Sequence, residues 1–136
     1  MSKTRLTIFR CLMLLYLAAV AYLCFGHFES LPKVSNTILG IPTDKVVHFC
    51  MFLPFPVLLF LCYDKITTRP WQAVLLAMGT FDIGAAIAAS TEIIQGRLGY
   101  RSQDPLDVCA DAIALALSSL VVFAIDLRQM HSDNEA

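Results

Sequence analysis

The sequence predicts an all-α integral membrane protein, a bundle of four transmembrane helices, and three observations carry that expectation. Of its 136 residues, 57% are hydrophobic and only 15% charged, with a mean hydropathy of +0.67. Soluble domains hold about 45–50% apolar and about 25% charged residues. Four apolar stretches, 6–25, 46–63, 71–94 and 106–125, approach or reach the roughly 20 residues that span a bilayer. The polar sequence left over is too short to cover four buried helices in water, because so small a chain exposes much of its surface.

The first stretch, LTIFRCLMLLYLAAVAYLCF, follows Lys3 and Arg5 and contains Arg10. A basic start, an apolar run and Ala19-Val20-Ala21 also fit a signal peptide. The apolar run continues past that point to Phe25, which favours a retained helix. Cys24 is preceded by bulky Leu23, against a lipoprotein signal. The linker HFESLPKVSNTILGIPT is mixed in polarity and fits a short amphipathic segment on the membrane surface.

In the second stretch Pro54 and Pro56 remove two backbone donors and should bend or break the helix. The third carries Asp82 near its middle, where an acid is costly and a candidate for function. Ten residues separate it from Glu92, about 15 Å along a helix and roughly 80° around it. It belongs either to a deeper proton or water path or, the favoured reading, to a protonated side chain bonded to a neighbour. Gly84, Ala85, Ala88 and Ala89 around it form a close-packing surface that places this helix centrally. The fourth stretch presents Asp107, Asp111, Ala110, Ala114 and Ser118 towards one side, and small residues at such spacing admit another helix. The tail 127–136 is expected to be disordered, with His131 solvated.

No repeat or second domain interrupts 1–136. A net charge of −1 without a basic tract gives no sign of a nucleic-acid partner. The five cysteines form no C-x-x-C pair, so neither a zinc motif nor a disulfide framework is indicated. Basic residues flanking the spans put Lys3, Arg5, Arg10, Lys65, Arg69 and Arg128 on one side and Lys33, Lys45, Arg97 and Arg101 on the other. Both termini are therefore expected in the cytoplasm.

This threading brings the polar clusters to one membrane face. Asp44, Lys45 and His48 open the second span, Glu92 and Gln95 close the third, GRLGYRSQDP carries Arg101, Ser102 and Asp104, and Asp107 and Asp111 open the fourth. His48 shares a first turn with Asp44 and Lys45, while Glu92/Gln95 and Asp107/Asp111 pair on single faces. Asp44 and Asp107 fit helix capping. Asp111 lies a turn deeper, and Glu92 sits near a helix C-terminus, where the dipole disfavours it. One reading is a salt-bridge network pinning the helices. Another is a site in which Arg101 and Lys45 hold a phosphate. In that reading His48 is the catalytic acid or base, if any reaction occurs, and Glu92, Asp107 and Asp111 take a divalent ion such as magnesium.

Asp44-Lys45-x-x-His48-Phe49 with Phe52, then Glu92-x-x-Gln95, Arg101-Ser102 and Asp107, resembles the VanZ-like family of small bacterial membrane proteins. The order and spacing agree over residues 44–114. Asp111 stands where that family usually has Asn, and Tyr100 where it often has Gly. The resemblance implies a multi-pass protein of the bacterial inner membrane with a polar site near one face. Asp44, Lys45, Glu92, Gln95, Arg101, Asp107 and Asp111 are then the candidate ligand-binding residues for a membrane lipid or lipid-linked envelope precursor. An enzyme acting on such a lipid and a structural membrane subunit remain open beside that expectation.

Overall fold

The computed structural model describes residues 3–26, 37–38, 40–63, 67–98 and 104–134, with side chains as far as Ser132. The protein is all-α, and among the described residues four segments are long and apolar enough to cross a membrane. The first is α1, Lys3–Phe25. The second is broken into α2, Thr43–Phe52, and α3, Phe55–Leu61. The third is α4, Pro70–Arg97, and the fourth α5, Pro105–Asn134. Before α2, strands β1 (Thr37–Ile38) and β2 (Ile41–Pro42) pair antiparallel. Gly40 turns that hairpin at φ 79°, a conformation few side chains tolerate. Here the surface segment expected from the linker is, over its described part, a hairpin; residues 27–36 lie outside the described residues.

Each terminus follows from local chemistry. Pro70 starts α4 with its ring at the first helical turn, where a missing N–H costs nothing. The side-chain carbonyl of Gln72 accepts from the backbone N–H of Thr68 and Arg69 at 2.9 and 3.1 Å. Pro54 interrupts the second span as expected, separating α2 from α3. At that break Tyr16 of α1 donates its hydroxyl to the Met51 carbonyl at 2.6 Å, the kind of substitution that makes a broken helix tolerable in lipid.

One expectation fails at the C-terminus. α5 continues to Asn134, so the tail expected to be disordered is helical there. No Gly or Pro follows Ile125, and nothing in the chain stops propagation. Met130 is buried, and exposed His131 contacts the Leu127 carbonyl one turn back.

Helix α4 is central, touching α1, α3 and α5. Gly84 explains its close approach to two neighbours: a Cβ there would collide with Leu115 of α5 and meet Phe55 of α3 at 3.0 Å. Ala88 and Ala114 are fully enclosed beside it, as expected for small residues at membrane helix contacts, and Leu115 fills the space that Gly84 leaves. Thr80 and Ser119 meet across the same seam at 3.4 Å. α1 is tied in along its length by Arg10 to the Cys62 carbonyl, Tyr16 to Met51, and Gln95 to the Cys24 carbonyl. Ile8, Leu14, Leu15, Leu75, Ile113 and Leu120 remain exposed, the inverse of a water-soluble surface and the normal outside of a bundle in lipid.

Candidate functional site

The first turns of α2 and α5 and the last turns of α4 meet at one end of the bundle. His48 is buried there because its helix packs on α5, and its Nδ1 lies 3.2 Å from both oxygens of Asp111. An ionised carboxylate only accepts, so this contact places the ring proton on Nδ1 and directs Nε2 the other way. Nε2 stands 3.7 Å from Asp107 Oδ2 and 3.9 Å from Glu92 Oε1, beyond hydrogen-bond length. All four side chains are buried, Asp111 completely.

Lys45, one turn before His48, meets a different set. Its ammonium donates to Asp44 at 2.8 Å, to Asp107 Oδ1 at 2.7 Å, and to Asp104. An ammonium has three donors, and three carboxylates take them. Lys45 was expected to hold an anion; in this arrangement its three donors go to carboxylates. Asp44, Asp104 and Asp107, whose ligand atoms all lie within 4.8 Å of one another, are thus gathered around the Lys45 nitrogen.

Asp104, which is not among the expected ligand-binding residues, also joins the cluster through Lys45. It precedes Pro105, its Oδ1 accepts from the Leu106 N–H at 2.9 Å, and its carbonyl accepts from the Asp107 N–H. The Asp-Pro pair at a helix start was the available signal. The hydrogen bond from Lys45 holds the Asp104 carboxyl below its ordinary value. Its backbone N–H also donates to Glu92 Oε2 at 3.3 Å, linking loop to α4.

The structure thus brings together Asp44, Lys45, His48, Glu92, Asp107 and Asp111, with Asp44 at the exposed rim. Gln95 does not join them: its amide donates to the Cys24 carbonyl at 3.0 Å, and it fastens α4 to α1. Arg101 and Ser102 lie outside the described residues. Asp111 faces His48 rather than the space shared by Glu92 and Asp107, so the expected magnesium set Glu92, Asp107 and Asp111 is not the one that converges. The group that does is His48, Glu92 and Asp107, with ligand atoms all within 4.8 Å of one another.

Two acids lie elsewhere. Asp82 is exposed on the outward side of α4, and no hydrogen bond reaches it among the described residues, against the expectation of a bonded neighbour. Asp126, one residue past the apolar stretch 106–125, is buried near the opposite end and accepts from the Thr67 hydroxyl. An apolar groove of about 450 Å³ runs between α1 and α4 from Leu17 and Ile83 to Phe25 and Ile94, along the same end of α4 as Glu92.

Compared with protein-family models, with curated proteins and with solved structures, the chain matches none. The fold and the geometry define a multi-pass membrane protein with a buried acidic-histidine cluster at one end.

Proposed function

We propose that this chain is a VanZ-like protein of the bacterial inner membrane, termini in the cytoplasm, that recognises a lipid-linked or phosphate-bearing headgroup at the outer leaflet. The observation that carries the reading is a buried ionisable cluster at one end of a lipid-immersed bundle, with an apolar groove of about 450 Å³ along the same end of α4. Ionisable groups in a span each cost about 2.5–3.5 kcal/mol on insertion scales, and His48, Glu92, Asp107 and Asp111 are all buried together, a concentration of polar groups that suits a polar ligand. The groove suits an acyl or prenyl chain, whose headgroup would then sit level with Glu92. With Lys45 fully engaged, an anionic headgroup is met by Arg101, by a bridging cation, or by both.

Mass spectrometry of gently extracted protein is expected to find a co-purifying anionic lipid, lost in Glu92→Gln and Arg101→Ala while both variants stay folded. Lipid-free wild-type protein, or variants that keep the lipid, would contradict the reading. A second reading is favoured by one contact: Asp111 orients the His48 imidazole as carboxylates orient a catalytic base. On that reading the headgroup is a substrate, and turnover of a lipid phosphate disappears in His48→Ala.

A further inference from the structure

Three side chains in the cluster share one design. His48 is anchored through Nδ1 by Asp111 at 3.2 Å and presents Nε2. Asp107 is anchored through Oδ1 by Lys45 at 2.7 Å and presents Oδ2. Glu92 takes the Asp104 N–H on Oε2 and presents Oε1. The three presented atoms point at one another, at 3.7 and 3.9 Å from His48 Nε2, too far for hydrogen bonds and too near for indifference. Ligands about 2.0–2.1 Å from a shared tetrahedral ion lie about 3.4 Å apart, so small side-chain rotations would complete such a site. A second observation is independent of the acids. The His48 ring is 93% buried, since its side chain is 7% exposed, yet Nε2 has no hydrogen bond among the described residues.

We propose that His48 Nε2, Glu92 Oε1 and Asp107 Oδ2 bind one divalent ion of the zinc type, leaving a fourth position open. Asp111 then completes the carboxylate–histidine–metal arrangement that fixes the ring and strengthens the ligand. Imidazole among the ligands selects zinc-like ions over magnesium, which prefers six oxygens in a near-ideal octahedron. The charge fits as well. Among the described residues Asp44, Asp104 and Asp107 surround Lys45 and Asp111 lies on His48, and a dication relieves that concentration of negative charge. The open position is where a phosphate oxygen or a water would sit. The inference rests on the cluster that carries the headgroup reading, and it supplies the cation that an anionic headgroup would need.

The test uses the whole chain in detergent, stripped with a chelator, given zinc alone and desalted, with bound metal counted by mass spectrometry and thermal unfolding followed in parallel. One zinc per chain is expected, together with a higher unfolding midpoint, since an ion that binds only the folded state stabilises it. Glu92→Gln and His48→Gln should each abolish retention, whereas Asp111→Asn should weaken affinity about 10–100-fold without changing stoichiometry. Cys24→Ser should leave zinc retention unchanged. Wild-type protein that retains no zinc, retention unaltered in Glu92→Gln and His48→Gln, or displacement by equimolar magnesium would each overturn the assignment. Should Glu92→Gln fail to fold, His48→Gln and Asp111→Asn carry the same outcomes. No lipid is added, so an absent ion and an absent headgroup are separate results.

Discussion

Replacing Lys45 with methionine tests the network most sharply, because most of the stem is kept while the charge and its three donors are removed. The ammonium side chain is 12% exposed, and its partners Asp107, Asp104 and Asp44 are 11%, 36% and 55% exposed. The Asp44 contact is open to solvent, where an exposed pair is worth about 0.2–1 kcal/mol. Asp107 dominates: its carboxylate would be left nearly buried with no cation at 2.7 Å. Orphaning one member of a buried pair costs about 3–5 kcal/mol, and much of that is recovered when both members become neutral. Since a tenth of each side chain still reaches solvent, Lys45→Met should cost about 3 kcal/mol, near the lower end of that range. Lys45→Met/Asp107→Asn should regain at least half of it. The assay is equilibrium unfolding in mixed micelles, followed by helical signal. A loss under about 0.5 kcal/mol, the level of a surface pair, would refute the reasoning, as would a double variant no steadier than the single.

Three other outcomes follow from the same geometry. Gly84→Ala should destabilise by about 1–2 kcal/mol through overpacking against Leu115 and Phe55, despite alanine's better helix propensity; an unchanged unfolding midpoint would mean the seam yields freely. Asp104 is held below its ordinary value by Lys45, so its contribution is complete above the unfolded carboxylate value and fades as pH falls through the lower folded value. Wild-type stability should accordingly drop below about pH 4, and Asp104→Asn, which keeps the helix cap, should flatten that acid limb; superimposable profiles would deny the coupling. Asp82 faces outward near the middle of α4, where an acid costs about 2.5–3.5 kcal/mol on insertion scales. Asp82→Leu should raise the inserted fraction of the third span in a glycosylation-mapping assay, and a decrease would show that Asp82 has a partner in the membrane.

The four spans were legible because apolar length is a one-dimensional signal that needs no tertiary information. The break at Pro54 was legible for the same reason, since a missing N–H acts where it stands. The end of α5 was not. Hydropathy marks where a helix leaves lipid, while the helix itself stops only at a breaker, and after Ile125 there is none. Helical spacing placed Asp44, Lys45, His48, Glu92, Asp107 and Asp111 at one end, because consecutive spans alternate direction. Spacing was silent on who bonds whom. That Lys45 spends its donors on three acids, that Asp111 serves His48, and that Gln95 turns to α1 depend on the rotation of each helix against its neighbours. Asp126 was hidden behind the helix boundary, and the missing bond of Asp82 behind the rotation of α4.

The central claim is that α2, α4 and α5 bring their ionisable side chains to one point, and the His48–Asp111 contact is its narrowest joint. Among the three histidines, the resonance of His48 is identified by its disappearance in His48→Gln. Solid-state NMR of the nitrogen-15 and carbon-13 labelled protein in liposomes then reads the dipolar coupling between His48 Nδ1 and the Asp111 carboxyl carbon. The account predicts a protonated Nδ1 with strong coupling to that carbon, lost in Asp111→Ala. A His48 signal that shows no carboxyl coupling, or that is bathed in lipid-chain contacts instead, would contradict it.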